Sequence, residues 1–277
     1  MSSQYLGYKL HITTPEESAR IYTDLQNNKF DCLPNQYLIC IDGRGNVIDK
    51  FLWTGEYFRS LNYHHIDSSH IGRISPRNLQ QELAMDMLQN DDITVKCITG
   101  GYGTGKDYLM LGNALDLVMK KGKYEKLLWV RNNVDVKDTV PLGALPGTAY
   151  QKLQPWAMVI ADHVGGIDAM ESMIDSGRIE ICHLGWMRGR DIRNSLVYCT
   201  EAENLSSGHM KLLLGRIGDG SCLYINGDYR QVDKKIFETD NGLMTAIDRL
   251  KGNPLFGYVK LEKTERSKTA ALADLLD

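Results

Sequence analysis

Residues 96–107 read Lys96-Cys97-Ile98-Thr99-Gly100-Gly101-Tyr102-Gly103-Thr104-Gly105-Lys106-Asp107. A short apolar run leads into a turn crowded with glycine. Beyond it Leu111, Ala114, Leu115, Val118 and Met119 recur at i, i+3, i+4, i+7 and i+8, which is one buried helix face. Glycines let successive backbone N–H groups turn inward into an anion-binding nest. The helix behind them aims its positive end at whatever the nest holds. The spacing is that of a phosphate loop, G-x-x-x-x-G-K: Gly100, Gly101, Tyr102, Gly103, Thr104 and Gly105 form the cradle, and Lys106 reaches the β- and γ-phosphates as a point charge. An ordinary β–α turn is the plain alternative, and the strand and helix on either side favour the nucleotide. The pattern normally closes on Ser or Thr; here it closes on Asp107.

Outward from the loop, strands alternate with helices. KLLWV from Lys126, IEICHL from Ile179, LVYCT from Leu196, CLYI from Cys222 and YVKLE from Tyr258 read as strands. One intervening helix is capped by Ser206 or Ser207 and turns Met210, Leu213, Leu214 and Ile217 inward. The alternation predicts an α/β fold with a mostly parallel sheet covered on both faces, and ligands at the carboxyl ends of its strands. Ser75-Pro76 predicts the start of a helix through Asn90, with Leu79, Leu83, Met87 and Leu88 on its apolar side.

The chain divides near residue 72, giving a small α+β N-terminal segment, 1–72, and a larger unit, 73–277. In the first, Thr14 caps a helix with Pro15 at its first position and Glu17 closing a capping box. YLICI from Tyr37 and VIDKFLW from Val47, joined by Asp42-Gly43-Arg44-Gly45-Asn46, read as a β-hairpin. So short a segment makes a small core, so it is expected to dock on the rest. His64, His65 and His70 have no carboxylate or thiol at ligand spacing and read as solvated.

The 277 residues are 43% hydrophobic and 24% charged, an ordinary globular composition. A formal net charge of −3 provides no global positive field toward nucleic acid or an acidic membrane, though a local basic groove is compatible with it. No apolar run approaches the roughly 20 residues that cross a bilayer, and no signal peptide is visible. A cytoplasmic protein without membrane association is expected. Six cysteines, at 32, 40, 97, 182, 199 and 222, lack metal-ligand spacing and fit buried thiols in a reducing compartment.

A phosphate loop of this kind works with a second apolar strand ending in Asp-Glu, the Asp holding Mg2+ and the Glu orienting the attacking water. The best match is Leu196-Val197-Tyr198-Cys199-Thr200-Glu201, with Glu201 in place and Thr200 where the Asp belongs. The two departures mirror each other: the loop has gained a carboxylate and lost a hydroxyl, and the strand the reverse. Either Asp107 and Thr200 have exchanged roles around Mg2+, which prefers oxygen ligands in octahedral geometry, or both positions have decayed and hydrolysis is lost.

Together these residues resemble the PhoH-like ATPases. The resemblance rests on Gly100 to Lys106, on Glu-Ala-x-Asn at Glu201 to Asn204, on Gly227-Asp228-x-x-Gln231-Val232-Asp233, and on Met187-Arg188-Gly189-Arg190. Leu142-Gly143-Ala144-Leu145-Pro146-Gly147, followed by Lys152 and Pro155, is similar to the family's linking segment. It covers about residues 72–277, and Leu33-Pro34-Asn35-Gln36-Tyr37 with its hairpin looks like the segment before the ATPase half of PIN–PhoH fusion proteins. No PIN nuclease domain is read ahead of it, so ribonuclease chemistry is not expected.

The resemblance implies a RecA-like core, ATP and Mg2+ as cofactors, and a homo-oligomeric ring such as a hexamer. RNA or another single-stranded nucleic acid enters as the implied partner of the fusion branch. Asn78-x-x-Gln81-x-x-Ala84 resembles the adenine-reading motif of related helicases, or is a solvated helix surface. Gln231 looks like the γ-phosphate sensor with Asp228 supporting it, or the run is a tight turn. Arg266, in Thr264-Glu265-Arg266-Ser267, resembles a late arginine that stabilises phosphate charge in cis or from a neighbouring subunit. Arg188, Arg190 and Arg193 form a basic cluster that faces either phosphate, a ring neighbour, nucleic acid or water. Arg131, after the KLLWV strand, lies at the ligand edge of the sheet.

Three functions compete. The first is a helicase-like ATP hydrolase acting as a nucleic-acid motor, with Glu201, Lys106, Gln231 and Arg266 as its catalytic set. The second is a nucleotide-gated scaffold that hydrolyses slowly or not at all. The third is a small-molecule kinase with the arginine cluster as a lid, which the Gly-Asp-x-x-Gln run argues against.

Overall fold

A computed structural model describes residues 4–132 and 154–265. Arg266 and the linking segment at 142–147 lie outside the described residues. In chain order the elements are β1 (Tyr8–Ile12), α1 (Pro15–Ala19), β2 (Gln36–Ile41), β3 (Val47–Trp53), β4 (Phe58–Ser60), β5 (Ile66–Ser68), β6 (Gly72–Ile74), α2 (Leu79–Gln89), β7 (Val95–Gly100), α3 (Lys106–Leu115), β8 (Lys126–Arg131), α4 (Met158–Val164), α5 (Ile167–Asp175), β9 (Ile179–His183), β10 (Ser195–Cys199), α6 (Ser207–Leu214), β11 (Cys222–Gly227), α7 (Lys235–Thr239), α8 (Gly242–Leu250) and β12 (Phe256–Leu261).

Six of these strands form one sheet in the order β12-β7-β11-β10-β8-β9, and every neighbouring pair is parallel. Parallel strands buried on both faces should be apolar along their whole length, and β10 (SLVYC) is buried at all five positions. Successive side chains go to opposite faces. Trp129, Tyr198 and Tyr224 join Leu83, Leu109 and Ile160 on one side, whereas Leu128, Val197 and Leu223 join Met210, Leu213 and Leu243 on the other. Trp129 and Tyr198 stack at 4.6 Å between ring centroids. The architecture is the α/β fold with a parallel sheet expected from the alternation. The strand before the glycine loop, β7, is separated from the Glu201 strand, β10, by one strand, β11.

A four-stranded sheet, β1-β2-β3-β4, packs alongside. Thr14 makes both bonds of its capping box with Glu17. The β2–β3 turn is closed by Asp42 N–H to Asn46 O at 2.9 Å, with Asp42 Oδ1 accepting the Arg44 and Asn46 N–H groups. Tyr37, Ile39 and Leu52 of this sheet share one apolar cluster with Leu83 and Met87 of α2. Its polar anchor is Asp86, fully buried on α2, which accepts the Tyr37 hydroxyl at 2.7 Å, both Arg59 guanidinium nitrogens at 2.8 and 2.9 Å, and the Asn62 N–H at 2.6 Å. β5 pairs with β6 across residue 72.

One helix starts later than expected. Ser75-Pro76 does not open α2; the helix begins at Leu79, capped by Asn78, whose side chain accepts the Gln81 N–H at 3.0 Å. Asn is as good a cap as Ser, and the first-turn N–H groups were within its reach. Ser206 is the cap of α6. All six cysteines are free and buried. No helix among the described residues is long and apolar enough to cross a membrane.

Candidate nucleotide site

The glycine loop runs from the carboxyl end of β7 into α3. Gly105 is the helix cap with φ of 89°, a left-handed conformation that costs glycine little. At Gly100 a Cβ would stand 2.5 Å from the Leu261 carbonyl oxygen, so the loop leaves the sheet tight against β12. Thr104, buried, closes the turn by donating to Gly101 O at 2.9 Å. Lys106 Nζ donates to Gly100 O at 2.5 Å and Gly101 O at 3.1 Å, which holds the ammonium over the first residues of the loop. Burial lowers its pKa, and the charges of Asp107, Asp228, Glu203 and Glu201 oppose that shift. Tyr102 and Gly103 at the tip are exposed.

On one flank, Gln81 is buried and bridges helix to loop. Its Nε2 donates to Thr104 O at 2.9 Å while its Oε1 accepts the Arg77 N–H at 2.8 Å. It is not a solvated helix surface. Asn78, besides capping α2, donates to Glu265 Oε1 at 2.9 Å, and the Glu265 N–H bonds Gly103 O at 2.9 Å. Arg77, Gln81, Gly103, Gly105, Tyr108 and Glu265 line a recess of about 210 Å³ beside the loop.

The other flank is acidic. Thr200 follows β10 with its N–H on Val130 O at 3.1 Å, and Glu201 then adopts φ 53° and ψ 44°. A non-glycine residue held there is strained, and such strain concentrates at functional positions. Glu203, almost fully buried, accepts the Asp228 N–H at 2.9 Å. Its carboxyl is pushed up to about 9, first by burial and then by a hydrogen bond to the neighbouring Glu201 carboxylate and that group's charge. Burial and the Glu201 carboxylate thus favour the protonated form of Glu203.

Asp228, also buried, accepts Gln231 Nε2 at 2.7 Å on one oxygen and the Arg230 N–H at 3.1 Å on the other. Asn204 and Asp233 exchange bonds of 2.7 and 3.0 Å, which fastens the segment after β10 to the segment after β11.

Asp107 lies in the first turn of α3. Its Oδ1 accepts the buried Tyr198 hydroxyl at 2.9 Å and the Asn226 amide at 2.6 Å, and that amide also donates to the Tyr198 oxygen at 3.0 Å. Oδ2 has no hydrogen-bond partner among the described residues.

The loop, Asp107, Thr200, Glu201, Asp228 and Gln231 thus gather at the carboxyl ends of β7, β11 and β10. The arginine cluster does not hold as a unit. Arg190 is tied to Glu180 at 2.6 and 3.2 Å and Arg193 to Asp191 at 2.7 Å, whereas Arg188 is exposed with no partner among the described residues. Acidic residues nearby in the fold, not visible as neighbours in sequence, neutralise the first two. Sequence reasoning missed Glu203, Tyr198, Asn226 and Arg230. Glu203 stood in view as the unassigned position of Glu-Ala-x-Asn; the others looked like strand or turn residues. Among the described residues no three His, Cys, Asp or Glu side chains are grouped to hold a metal ion, and the three histidines at 64, 65 and 70 form no such site.

The chain is 37% identical to the protein PhoH2 of Bacillus subtilis (strain 168) over 98% of its own length and 64% of the relative's. It is 33% identical to the PhoH2 of Thermobispora bispora over 71% of this chain and 45% of that one. It is 30% identical to the PhoH-like protein of Bacillus subtilis over 80% and 69% respectively. The chain therefore spans roughly half to two thirds of the PhoH2 relatives. A structure of two coordinating Pif1 helicases at forked DNA overlaps 73% of this chain with a TM-score of 0.33 and 13% identity, too slight a likeness to argue from. A family model described as PhoH-like protein matches residues 73–276, from β6 to beyond β12. The chain belongs to the PhoH-like family.

Proposed function

We propose that this chain binds ATP on the Gly100–Lys106 loop, hydrolyses it with Mg2+, and couples the cycle to movement along or remodelling of RNA or another single strand, as a homo-oligomeric ring. One observation carries the reading: a lysine-bearing glycine loop faces Glu201 and the Asp228–Gln231 pair across adjoining strand ends. Lys106 offsets phosphate charge, and Glu201 orients the attacking water. Gln231, steadied by Asp228, reads the γ-phosphate. Gln81 lines the recess where adenine would lie, and Asn78 holds Glu265 at its edge. The recess takes its shape from their bonds to Thr104 and Glu265.

The residues fit Mg2+. Asp107 is bonded to Tyr198 near the end of β10, and Thr200 follows that strand. Asp107 and Thr200 would supply one carboxylate and one hydroxyl to the ion, which prefers oxygen ligands. The ion would neutralise phosphate charge when bound. This favours the exchange of roles between Asp107 and Thr200 over decay.

A second reading, a nucleotide-gated scaffold with slow turnover, is favoured by a different observation: Asp107 already has Oδ1 committed to Tyr198 and Asn226. ATP turnover with and without single-stranded RNA separates the two. A motor should be stimulated several-fold by RNA. Tight ATP binding with no turnover under either condition would leave the scaffold, and no binding of ATP or ADP would end both.

A further inference from the structure

Arg230 is invisible as a site residue in the sequence, where it fills an unassigned position of Gly-Asp-x-x-Gln. In the structure its side chain reaches back from the end of β11 over the glycine loop. A Cβ placed on Gly101 would stand 2.6 Å from its Nη2, so the guanidinium occupies the space a side chain at Gly101 would need. Lys106 approaches the same residue from its carbonyl, at 3.1 Å. Two cations from different elements therefore converge on Gly101.

The anchoring of Arg230 is loose. Its Nε lies 3.5 Å from Asp228 Oδ1, and the side chain is 69% exposed. An ion pair that open to water is weak, so a phosphate can take the guanidinium over at small cost. Asp228 is buried and holds the amide of Gln231 on its other oxygen. One fixed carboxylate thus presents an amide and a guanidinium side by side toward the loop. Guanidinium is the side chain best matched to two phosphate oxygens at once.

We propose that Arg230 is a phosphate-contacting residue supplied in cis, which moves from Asp228 onto the terminal phosphate of the nucleotide held by the loop. This deepens the reading given under Proposed function and rests on it. It makes the arginine contribution to phosphate charge independent of any neighbouring subunit.

The test compares wild type with Arg230→Ala and Arg230→Lys, using ADP with Mg2+, ATPγS with Mg2+, and ATP turnover over a range of protein concentrations. Arg230 is exposed, so both variants should fold, and thermal melts check this. Arg230→Ala should bind ADP as wild type does, bind ATPγS about tenfold more weakly, and lose about a hundredfold in turnover. Lysine should restore part of the loss, since it keeps the charge but not the fork. The loss should be the same at every protein concentration. Equal ATPγS affinity and equal turnover in Arg230→Ala would overturn the assignment while leaving the nucleotide reading intact. Failure of wild type to bind either nucleotide would remove the parent reading and this one with it.

Discussion

Tyr198 donates its hydroxyl to Asp107 across 2.9 Å, from the strand that precedes Glu201 to the helix that begins at Lys106. Burial and the Asp107 charge both hold that phenol far above its ordinary pKa, so it stays a donor. Tyr198→Phe keeps the stacking on Trp129 but leaves Asp107 with the Asn226 amide alone. A hydrogen bond to a charged group is worth about 1.5–3 kcal/mol. Urea unfolding should show a loss of that order, and an unchanged midpoint would mean that the bond contributes nothing.

The metal donors can be tested by exchange. Asp107→Thr and Thr200→Asp should each reduce turnover by at least about tenfold, and the pair together should recover much of it, because the site regains one carboxylate and one hydroxyl. Losses that simply add would speak for two independent positions. The Asp107→Thr variant also loses the Tyr198 contact, so the cycle should be read on turnover and on melting temperature separately.

Glu203 makes stability depend on pH. Its pKa is raised by folding, from the ordinary carboxyl range to about 9. The folded state therefore favours the protonated form. The contribution is fully present below about pH 4.5 and is lost as the pH rises through about 9, at most about 1.4 kcal/mol per unit. Glu203→Gln carries the donor permanently and still offers an oxygen to the Asp228 N–H. Its melting temperature should exceed that of wild type by an increasing margin between pH 5 and pH 9. A constant margin would show that Glu203 does not titrate in that range.

Two adjacent loop glycines should respond differently. Gly100→Ala meets the Leu261 carbonyl oxygen at 2.5 Å, a backbone atom of β12, and should cost about 1–3 kcal/mol. Gly101→Ala meets the mobile end of Arg230 and should cost far less in stability. Thermal denaturation of both variants would settle the contrast.

Asp86 holds the N-terminal sheet to α2. Asp86→Ala strands the Arg59 guanidinium and removes acceptors from Tyr37 and Asn62, and a loss of about 3–5 kcal/mol is expected. Chemical denaturation measures it. Asp86→Asn, which keeps an acceptor, should lose less.

The parallel sheet, the loop and the position of Glu201 could be read from sequence because each rests on local periodicity and spacing. β7, β8, β9, β10, β11 and β12 were all legible as short strand runs, and Gln231 as the partner of Asp228. What escaped depends on contacts between distant segments. Tyr198 and Asn226 are ordinary strand residues until folding brings them 91 and 119 positions back to Asp107. Glu203 looks solvated until β11 closes over it. The arginine cluster looked unified because Glu180 and Asp191, which pair with Arg190 and Arg193, were not recognised as their partners. The late start of α2 arose because Ser75-Pro76 and Asn78 are competing helix-opening signals a turn apart, and sequence alone does not rank them.

The shared apolar cluster under β2 and β3 bears on how the molecule can be handled. A biochemist wishing to work with a minimal piece would cut at the edge of the matched span, 73–276, and that cut would sever the β5–β6 ladder. It would also unroof Leu83 and Met87 on α2, the helix whose Gln81 steadies the glycine loop. The trimmed fragment would present oily surface to solvent and slacken the cradle, so inactivity of such a fragment would say little about the intact chain.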